Sequence, residues 1–174
     1  MTFTSDSVYN RFAENLNYSN VTVLDAVTST VNVFKGLRVD DQLAVLWYAY
    51  KEMGKSITPA ATGAARLQLA EGLLNQIKQM SHPEQLEAMR DLATRRNTQI
   101  SRSYGILSAN TKLAFWYELA ELMTEGFVVP LPPGYQISRD GAKVLATLQE
   151  LDFGQQITVF RKVVADMGMD PLAD

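Results

Sequence analysis

The chain has 174 residues, of which 47% are hydrophobic and 20% charged, and its formal charge at pH 7 is -3. These values are typical of one soluble globular domain and argue against a dedicated nucleic-acid binder, which usually carries a basic stripe. Because there is no cysteine and only one histidine, disulfides, thiolate metal sites and most acid–base catalysis are excluded. For the same reasons, and because the N-terminus lacks the pattern of a signal peptide, we expect a cytoplasmic, non-enzymatic protein. With no apolar run of 18 residues, we also expect no membrane span.

Apolar residues recur at helical spacing along almost the whole chain. In chain order, this pattern predicts helices over residues 6–15, 22–35, 40–55, 64–80, 83–95, 98–104, 110–125, 139–152 and 155–167. No alternating β-branched run of strand length competes with them. The predicted fold class is therefore all-α.

Particular residue types predict where several of these helices begin and end. Asp40 and Ser108 are placed to cap the N-termini of two helices, and Gln155 lies near the start of the last one. Gly54 and Gly126 follow the last apolar positions of the same two helices, where glycine commonly ends a helix.

Two segments interrupt the helical pattern. Residues 56–63 (SITPAATG) have the Pro, Gly and Thr content of a loop. Residues 127–135 (FVVPLPPGY) contain three prolines, which fix φ and remove backbone donors, and we predict a stiff apolar connection that packs against the core. Such a connection either only joins two helices or also contributes to a binding site, and both interpretations stay open.

Two of the predicted helices share a short sequence pattern. Residues 43–52 and 113–121 each begin with Leu-Ala and continue to Trp-Tyr, and in each a Glu follows five residues after the Trp. The match is too short to establish a duplication. It suggests two helical lobes that bring Trp47 and Trp116 to a common place.

Large aromatic and methionine side chains concentrate in and around these helices. Such residues at helical spacing are most often core. A dry core must satisfy every indole N–H and phenol O–H, however, so a cavity for a long, flat, conjugated ligand is the competing interpretation. The residues in question are Trp47, Tyr48, Tyr50, Met53, Met89, Trp116, Tyr117, Met123 and Tyr135.

Other chemistry has little support in the sequence. His82 has no second His or Cys as a fellow metal ligand, and we expect it in a surface loop. Acidic groups such as Asp40 with Asp41, or Glu118 with Glu121, are typical of caps and solvated helix faces. No glycine-rich phosphate-binding motif is present.

Four segments resemble the N-terminal, carotenoid-binding domain of the cyanobacterial orange carotenoid protein. They are residues 41–55 (DQLAVLWYAYKEMGK), 112–123 (KLAFWYELAELM), 132–136 (PPGYQ) and 154–159 (GQQITV). The likeness extends from about residue 40 to about residue 168. Since the chain ends at Asp174, it is similar to the helical carotenoid proteins, free-standing paralogues of that domain.

The resemblance implies an N-terminal arm over residues 1–20 and one all-helical domain over residues 21–174, in which two interleaved four-helix lobes enclose a tunnel. It implies one bound ketocarotenoid of the canthaxanthin, echinenone or 3′-hydroxyechinenone type. The implied function is photoprotection, by quenching singlet oxygen and, in some members, by taking excitation from the phycobilisome antenna. The implied location is the cytoplasm, with association at phycobilisomes on the thylakoid surface in those members.

Carried over position by position, the resemblance implies a set of carotenoid contacts that lies mostly on the two Trp-Tyr helices and the proline connection. These contacts are Leu43, Leu46, Trp47, Tyr50, Met89, Leu113, Trp116, Tyr117, Ala120, Met123, Leu131, Pro132, Tyr135, Ile157 and Thr158. A further part of the tunnel is implied for Ile57, Gly63 and Leu67.

Asn110 and Arg161 match positions that face the C-terminal domain in the two-domain relatives. They suggest docking with a separate C-terminal-domain homologue that delivers carotenoid, or simple inheritance. With no second domain in the chain, we expect a monomer or weak dimer whose spectrum does not respond to light. The residues alone also leave open a helical protein–protein adaptor without a small molecule, or another hydrophobic ligand such as a lipid or linear tetrapyrrole.

Overall fold

The computed structural model describes residues 22–54 and 67–172, which form eight α-helices and no strand. The all-α prediction is confirmed. None of the helices in these ranges is long and apolar enough to cross a membrane. The predicted helix over 6–15 and the predicted loop over 56–63 lie outside the described residues. The helices are α1 (22–36), α2 (Val39–Met53), α3 (Leu67–Lys78), α4 (His82–Ala93), α5 (Gln99–Gly105), α6 (Ala109–Thr124), α7 (Arg139–Glu150) and α8 (Phe153–Ala165).

Helix ends that carry a strong local signal lie where the sequence predicts them. Ser108 caps α6, and its Oγ accepts a hydrogen bond from the backbone N–H of Thr111 at 3.2 Å. Gly126 follows the last turn of α6 with a φ of 82°, the left-handed conformation that favours glycine. Gly54 follows the last turn of α2, and its N–H donates to the carbonyl of Tyr50.

Two expectations about helix starts are wrong. The N-cap of α2 is Arg38, without a side-chain cap bond, and Asp40 instead lies in the first turn. His82 is the exposed first residue of α4 rather than a loop residue. Gln155 lies near the start of α8, as expected, where it completes the capping box of the N-cap residue Asp152. Spacing alone does not tell which of several adjacent polar residues takes the extended backbone that capping requires.

The helices pack in two groups that meet where α2 contacts α6 and where α3 contacts α4. Helix α2 contacts α4 and α7, helix α6 contacts α3 and α8, and α2 and α6 also contact each other. The short α5 lies against α3 and α4. One hydrophobic cluster draws buried residues from all eight helices, so the two groups share a core, in agreement with the predicted interleaved lobes.

The proline connection over residues 127–135 is held against the helices by a buried glutamine. Gln85 of α4 is 1% exposed. Its Nε2 donates to the carbonyl of Phe127 at 2.9 Å, and its Oε1 accepts from the backbone N–H of Val129 at 2.9 Å. Between them Val128 is buried. The connection therefore packs on the core, as its composition predicts.

The segment that follows α8 is fixed by a buried lysine. The Nζ of Lys112 donates to the carbonyls of Ala165 at 2.9 Å and Met167 at 3.2 Å, groups that the end of a helix leaves without intrahelical partners. Burial of this ammonium lowers its pKa. The segment then returns to α4, where the N–H of Gly168 donates to the carbonyl of Leu92 at 2.8 Å.

A pair of glycine substitutions tests this packing. A Cβ on Gly105 would lie 1.9 Å from the carbonyl oxygen of Met169. We expect Gly105→Ala to lower the free energy of unfolding by about 3 kcal/mol, because backbone must move to admit the methyl group. A Cβ on Gly72, inside α3, would meet no atom within 4 Å, and Gly72→Ala should stabilise by about 0.5 kcal/mol. Urea denaturation measures the free energy of unfolding of both variants. Equal changes in the two variants would contradict the close packing at Gly105.

Candidate functional site

An apolar cavity lies where α2, α6 and α8 come together, with contributions from α4 and from the proline connection. It is partly open to solvent, and its unfilled space, including that open part, is about 650 Å³. Almost all of its exposed lining is apolar. The lining residues are Leu43, Leu46, Trp47, Ala49, Tyr50, Met89, Leu113, Trp116, Tyr117, Ala120, Met123, Pro130, Phe160 and Val164.

Helical spacing explains how two helices supply most of this lining. Positions 43, 46, 47 and 50 of α2 differ by three or four residues and therefore share one face. Positions 113, 116, 117, 120 and 123 do the same on α6. The two Trp-Tyr helices present these faces to one cavity, which is the common place that their shared pattern predicts.

Three aromatic rings form one wall of the cavity. The rings of Trp47 and Tyr50 are stacked, with centroids 6.0 Å apart and planes 17° apart. The ring of Tyr117 meets Tyr50 edge to face at 5.6 Å. The hydroxyl of Tyr50 donates to the carboxylate of Glu121, which is half-buried rather than on the solvated face expected for it. Burial, with this carboxylate beside it, raises the pKa of Tyr50 to about 12.

On another side of the cavity, the polar atom of Trp116 is bonded away from the open space. Its Nε1–H donates to the hydroxyl oxygen of Tyr104 at 3.0 Å, and the Tyr104 hydroxyl donates to the carbonyl of Val164 at 2.7 Å. Tyr104 is fully buried, and burial raises its pKa, so the hydroxyl stays neutral. The indole ring can thus line an apolar cavity without leaving a buried donor unpaired.

Asp41 ties the end of the proline connection to α2. Its carboxylate is buried, and Oδ1 accepts from the Tyr135 hydroxyl at 2.7 Å and from the Ser138 backbone N–H at 2.9 Å. Burial alone would raise the pKa of Asp41, but these bonds, with a contact from Arg38, outweigh it and lower the pKa. The expectation that Asp41 serves as a solvated capping acid is wrong, because it is an internal anchor.

The structure brings ten of the predicted contact residues together around the cavity. They are Leu43, Leu46, Trp47, Tyr50, Met89, Leu113, Trp116, Tyr117, Ala120 and Met123. Six others are half-buried and do not line it, namely Leu67, Leu131, Pro132, Tyr135, Ile157 and Thr158. Ile57 and Gly63 lie outside the described residues.

Sequence reasoning missed four lining residues: Ala49, Pro130, Phe160 and Val164. A signal was available for two of them. Phe160 and Val164 follow Ile157 by three and seven residues along α8, which is the spacing of one helix face. Pro130 lies next to Leu131 in the proline connection, but a connection without periodicity does not indicate which of its residues points inward.

A helical fold with an apolar, aromatic-lined cavity between its packed helices defines a class of small-molecule-binding proteins. Residues 20–170 match the family model described as orange carotenoid protein, N-terminal. The chain is also 73% identical over 174 residues to an orange carotenoid-binding domain-containing protein of Nostoc sp. strain PCC 7120, with 100% of both chains covered. The chain belongs to the orange carotenoid protein N-terminal domain family.

Two solved structures from Anabaena (Nostoc) sp. PCC 7120 are similar to this chain. One is the orange carotenoid protein binding canthaxanthin, at a TM-score of 0.77 and 52% identity, over 84% of this chain and 48% of that one. The other is the red carotenoid protein binding canthaxanthin, at a TM-score of 0.73 and 41% identity, over 83% of this chain and 99% of that one. This chain therefore corresponds to about half of the first protein and to nearly all of the second. Membership of this family agrees with the prediction of a non-enzymatic protein.

Proposed function

We propose that this protein holds one ketocarotenoid noncovalently between α2, α6 and α8 and that it acts in photoprotection. The observation that carries the proposal is the apolar cavity with its wall of stacked and edge-on rings, in which the Tyr50 hydroxyl and the Trp116 indole N–H are bonded to the protein. Support also comes from the two solved relatives described as binding canthaxanthin. We propose a ketocarotenoid of the canthaxanthin, echinenone or 3′-hydroxyechinenone type.

The cavity residues suit a flat conjugated chain for physical reasons. Aromatic faces stack on a planar π-system, and the flexible side chains of Met89 and Met123 adapt to an irregular outline. The surrounding helices exclude water and restrict rotation about the ligand's terminal bonds. When bound, the carotenoid supplies low-lying excited states that accept energy and release it as heat.

An extended ligand requires contacts beyond the residues that line the cavity, and we propose that the six half-buried predicted residues supply them. Leu131 and Pro132 directly follow the lining residue Pro130. Ile157 lies one turn before the lining residue Phe160 on α8. The contacts proposed in this way are Leu67, Leu131, Pro132, Tyr135, Ile157 and Thr158.

We extend the proposal to the energy donors and the partners. The excitation taken up would come from singlet oxygen and from phycobilisomes, with the protein acting in the cytoplasm at the thylakoid surface as a monomer or weak dimer. A separate C-terminal-domain homologue would deliver the carotenoid at Asn110 and Arg161. Arg161 is exposed and makes no ion pair with another described residue, so its guanidinium is available to a partner.

Production in a host that makes canthaxanthin tests the ligand. The purified protein should carry a visible absorption band, and organic solvent should remove all colour from the denatured chain, because no cysteine is present for attachment. Pigment that stays on the polypeptide would refute noncovalent binding, and a colourless protein would favour the adaptor alternative. Pigmented protein should also shorten the lifetime of singlet oxygen more than the pigment-free form does.

A further inference from the structure

The two cavity tryptophans are held in different ways. Trp116 is 8% exposed, and its indole N–H is bonded to the buried hydroxyl of Tyr104. Trp47 is half-buried, stacks on Tyr50 and lies 5.7 Å from the Nζ of Lys51, but its indole N–H makes no hydrogen bond to another described residue. A stacked ring can slide over its neighbour at little cost, whereas a bonded indole cannot turn without losing its acceptor.

Tyr104 is itself fixed on several sides, so it can define a position for Trp116. Its ring and that of Phe115 meet edge to face, with centroids 5.2 Å apart, and the Nζ of Lys112 lies 5.0 Å from the centroid of Tyr104. Gly168 passes so close that a Cβ there would lie 2.4 Å from Cδ1 of Tyr104. The ring therefore has one well-defined place between α5, α6 and the segment after α8.

The hydroxyl of Tyr104 also bridges two walls of the cavity. It accepts from Trp116 on α6 and donates to the carbonyl of Val164 on α8, and both of these residues line the cavity. Tyr104 itself does not line the cavity. A single hydroxyl behind the wall thus couples the orientation of an indole ring to the position of the facing helix.

We propose that Tyr104 is a positioning residue that orients Trp116 for the ligand before the ligand binds. The inference rests on the proposed function, since it concerns how the same cavity receives a carotenoid. Orientation in advance reduces the entropy that binding must otherwise lose when the wall becomes ordered. Trp47, which has no indole hydrogen bond to another described residue, is the adaptable side of the cavity.

The pigment-free protein provides a test that does not depend on the ligand. The chain has two tryptophans, so in a Trp47→Phe background all indole emission comes from Trp116. Adding Tyr104→Phe removes the hydrogen-bond acceptor of the indole and should shift this emission to shorter wavelength, with helix content by circular dichroism unchanged. Tyr48→Phe is the matched control, because Tyr48 is half-buried outside the cavity. An unchanged emission maximum in the folded Tyr104→Phe variant would overturn the proposal.

Canthaxanthin titration completes the test with a double-mutant cycle of Tyr104→Phe and Trp116→Phe. Alone, Tyr104→Phe should raise the apparent Kd by up to about tenfold, the effect of one lost hydrogen bond, and shift the visible band. In the Trp116→Phe background, Tyr104→Phe should not raise the apparent Kd further. An undiminished rise in Kd in that background would overturn the proposal. If wild-type protein bound no canthaxanthin, the proposed function would fail, while the emission test would still decide the role of Tyr104.

Discussion

Replacing either cavity tryptophan by alanine should cost the protein most of its pigment. Each Trp→Ala change removes on the order of 100 Å² of apolar contact, worth about 2.5 kcal/mol, so the apparent Kd for canthaxanthin should rise roughly sixtyfold. Trp47 and Trp116 lie on different helices but line the same cavity, so both variants should show the loss. The loss is measured as the amount of pigment per chain after production in a host that makes canthaxanthin.

Control variants must distinguish the loss of contact with the ligand from the loss of the folded state. Trp116 is buried and hydrogen-bonded, so Trp116→Ala should also lower the free energy of unfolding by about 3 kcal/mol or more. Trp116→Phe keeps most of the volume and serves as its folded companion. Tyr48→Ala removes a half-buried ring outside the cavity and should keep its pigment. Full pigment content in both tryptophan variants would contradict the shared cavity.

Replacing Asp41 by alanine should have the next largest effect, on the fold and on the proline connection together. The change leaves the hydroxyl of Tyr135 and the backbone N–H of Ser138 without their buried acceptor. We expect the free energy of unfolding at pH 7 to fall by about 3 kcal/mol, as when a buried, multiply bonded charge is removed. Urea denaturation measures this. Asp140→Ala, an exposed first-turn acid of α7, is the matched control and should cost about 0.5 kcal/mol.

The buried carboxylate of Asp41 should also make the stability of the fold depend on pH, and the direction of that dependence follows from its pKa. Hydrogen bonds hold the folded-state pKa of Asp41 below its ordinary value of 3.8, so its ionised form stabilises the fold at pH values above that. This contribution is lost as the pH falls through the folded-state pKa. The stability difference between wild type and Asp41→Ala should therefore be constant near neutrality and shrink below about pH 4. A difference that grew on acidification would contradict the assignment.

Local patterns were sufficient to predict the described helices and the two main cavity faces. The period of apolar residues marks α2 and α6, and the i, i+3, i+4, i+7 positions on each carry the lining. Where a boundary depended on the conformation of a single residue, as at Arg38 and Asp152, the pattern did not distinguish among neighbouring polar residues.

Contacts between distant segments could not be predicted in the same way. Asp41 and Tyr135 are 94 residues apart, and Gln85 reaches Phe127 across 42 residues. A buried carboxylate or amide looks in sequence like any solvated one, since its partner is set by tertiary packing rather than by spacing. For that reason, the position of Tyr104 behind the cavity wall could not be predicted from the sequence.

Titration of pigment-free protein with canthaxanthin, followed by tryptophan emission, tests the central claim most directly. The only two tryptophans in the sequence both line the cavity, so a carotenoid bound there would contact or closely approach both emitters. We predict that emission falls almost to zero and that the decrease saturates at one canthaxanthin per chain. Pigment that binds while most emission remains, or quenching that never saturates, would contradict a carotenoid site between α2 and α6.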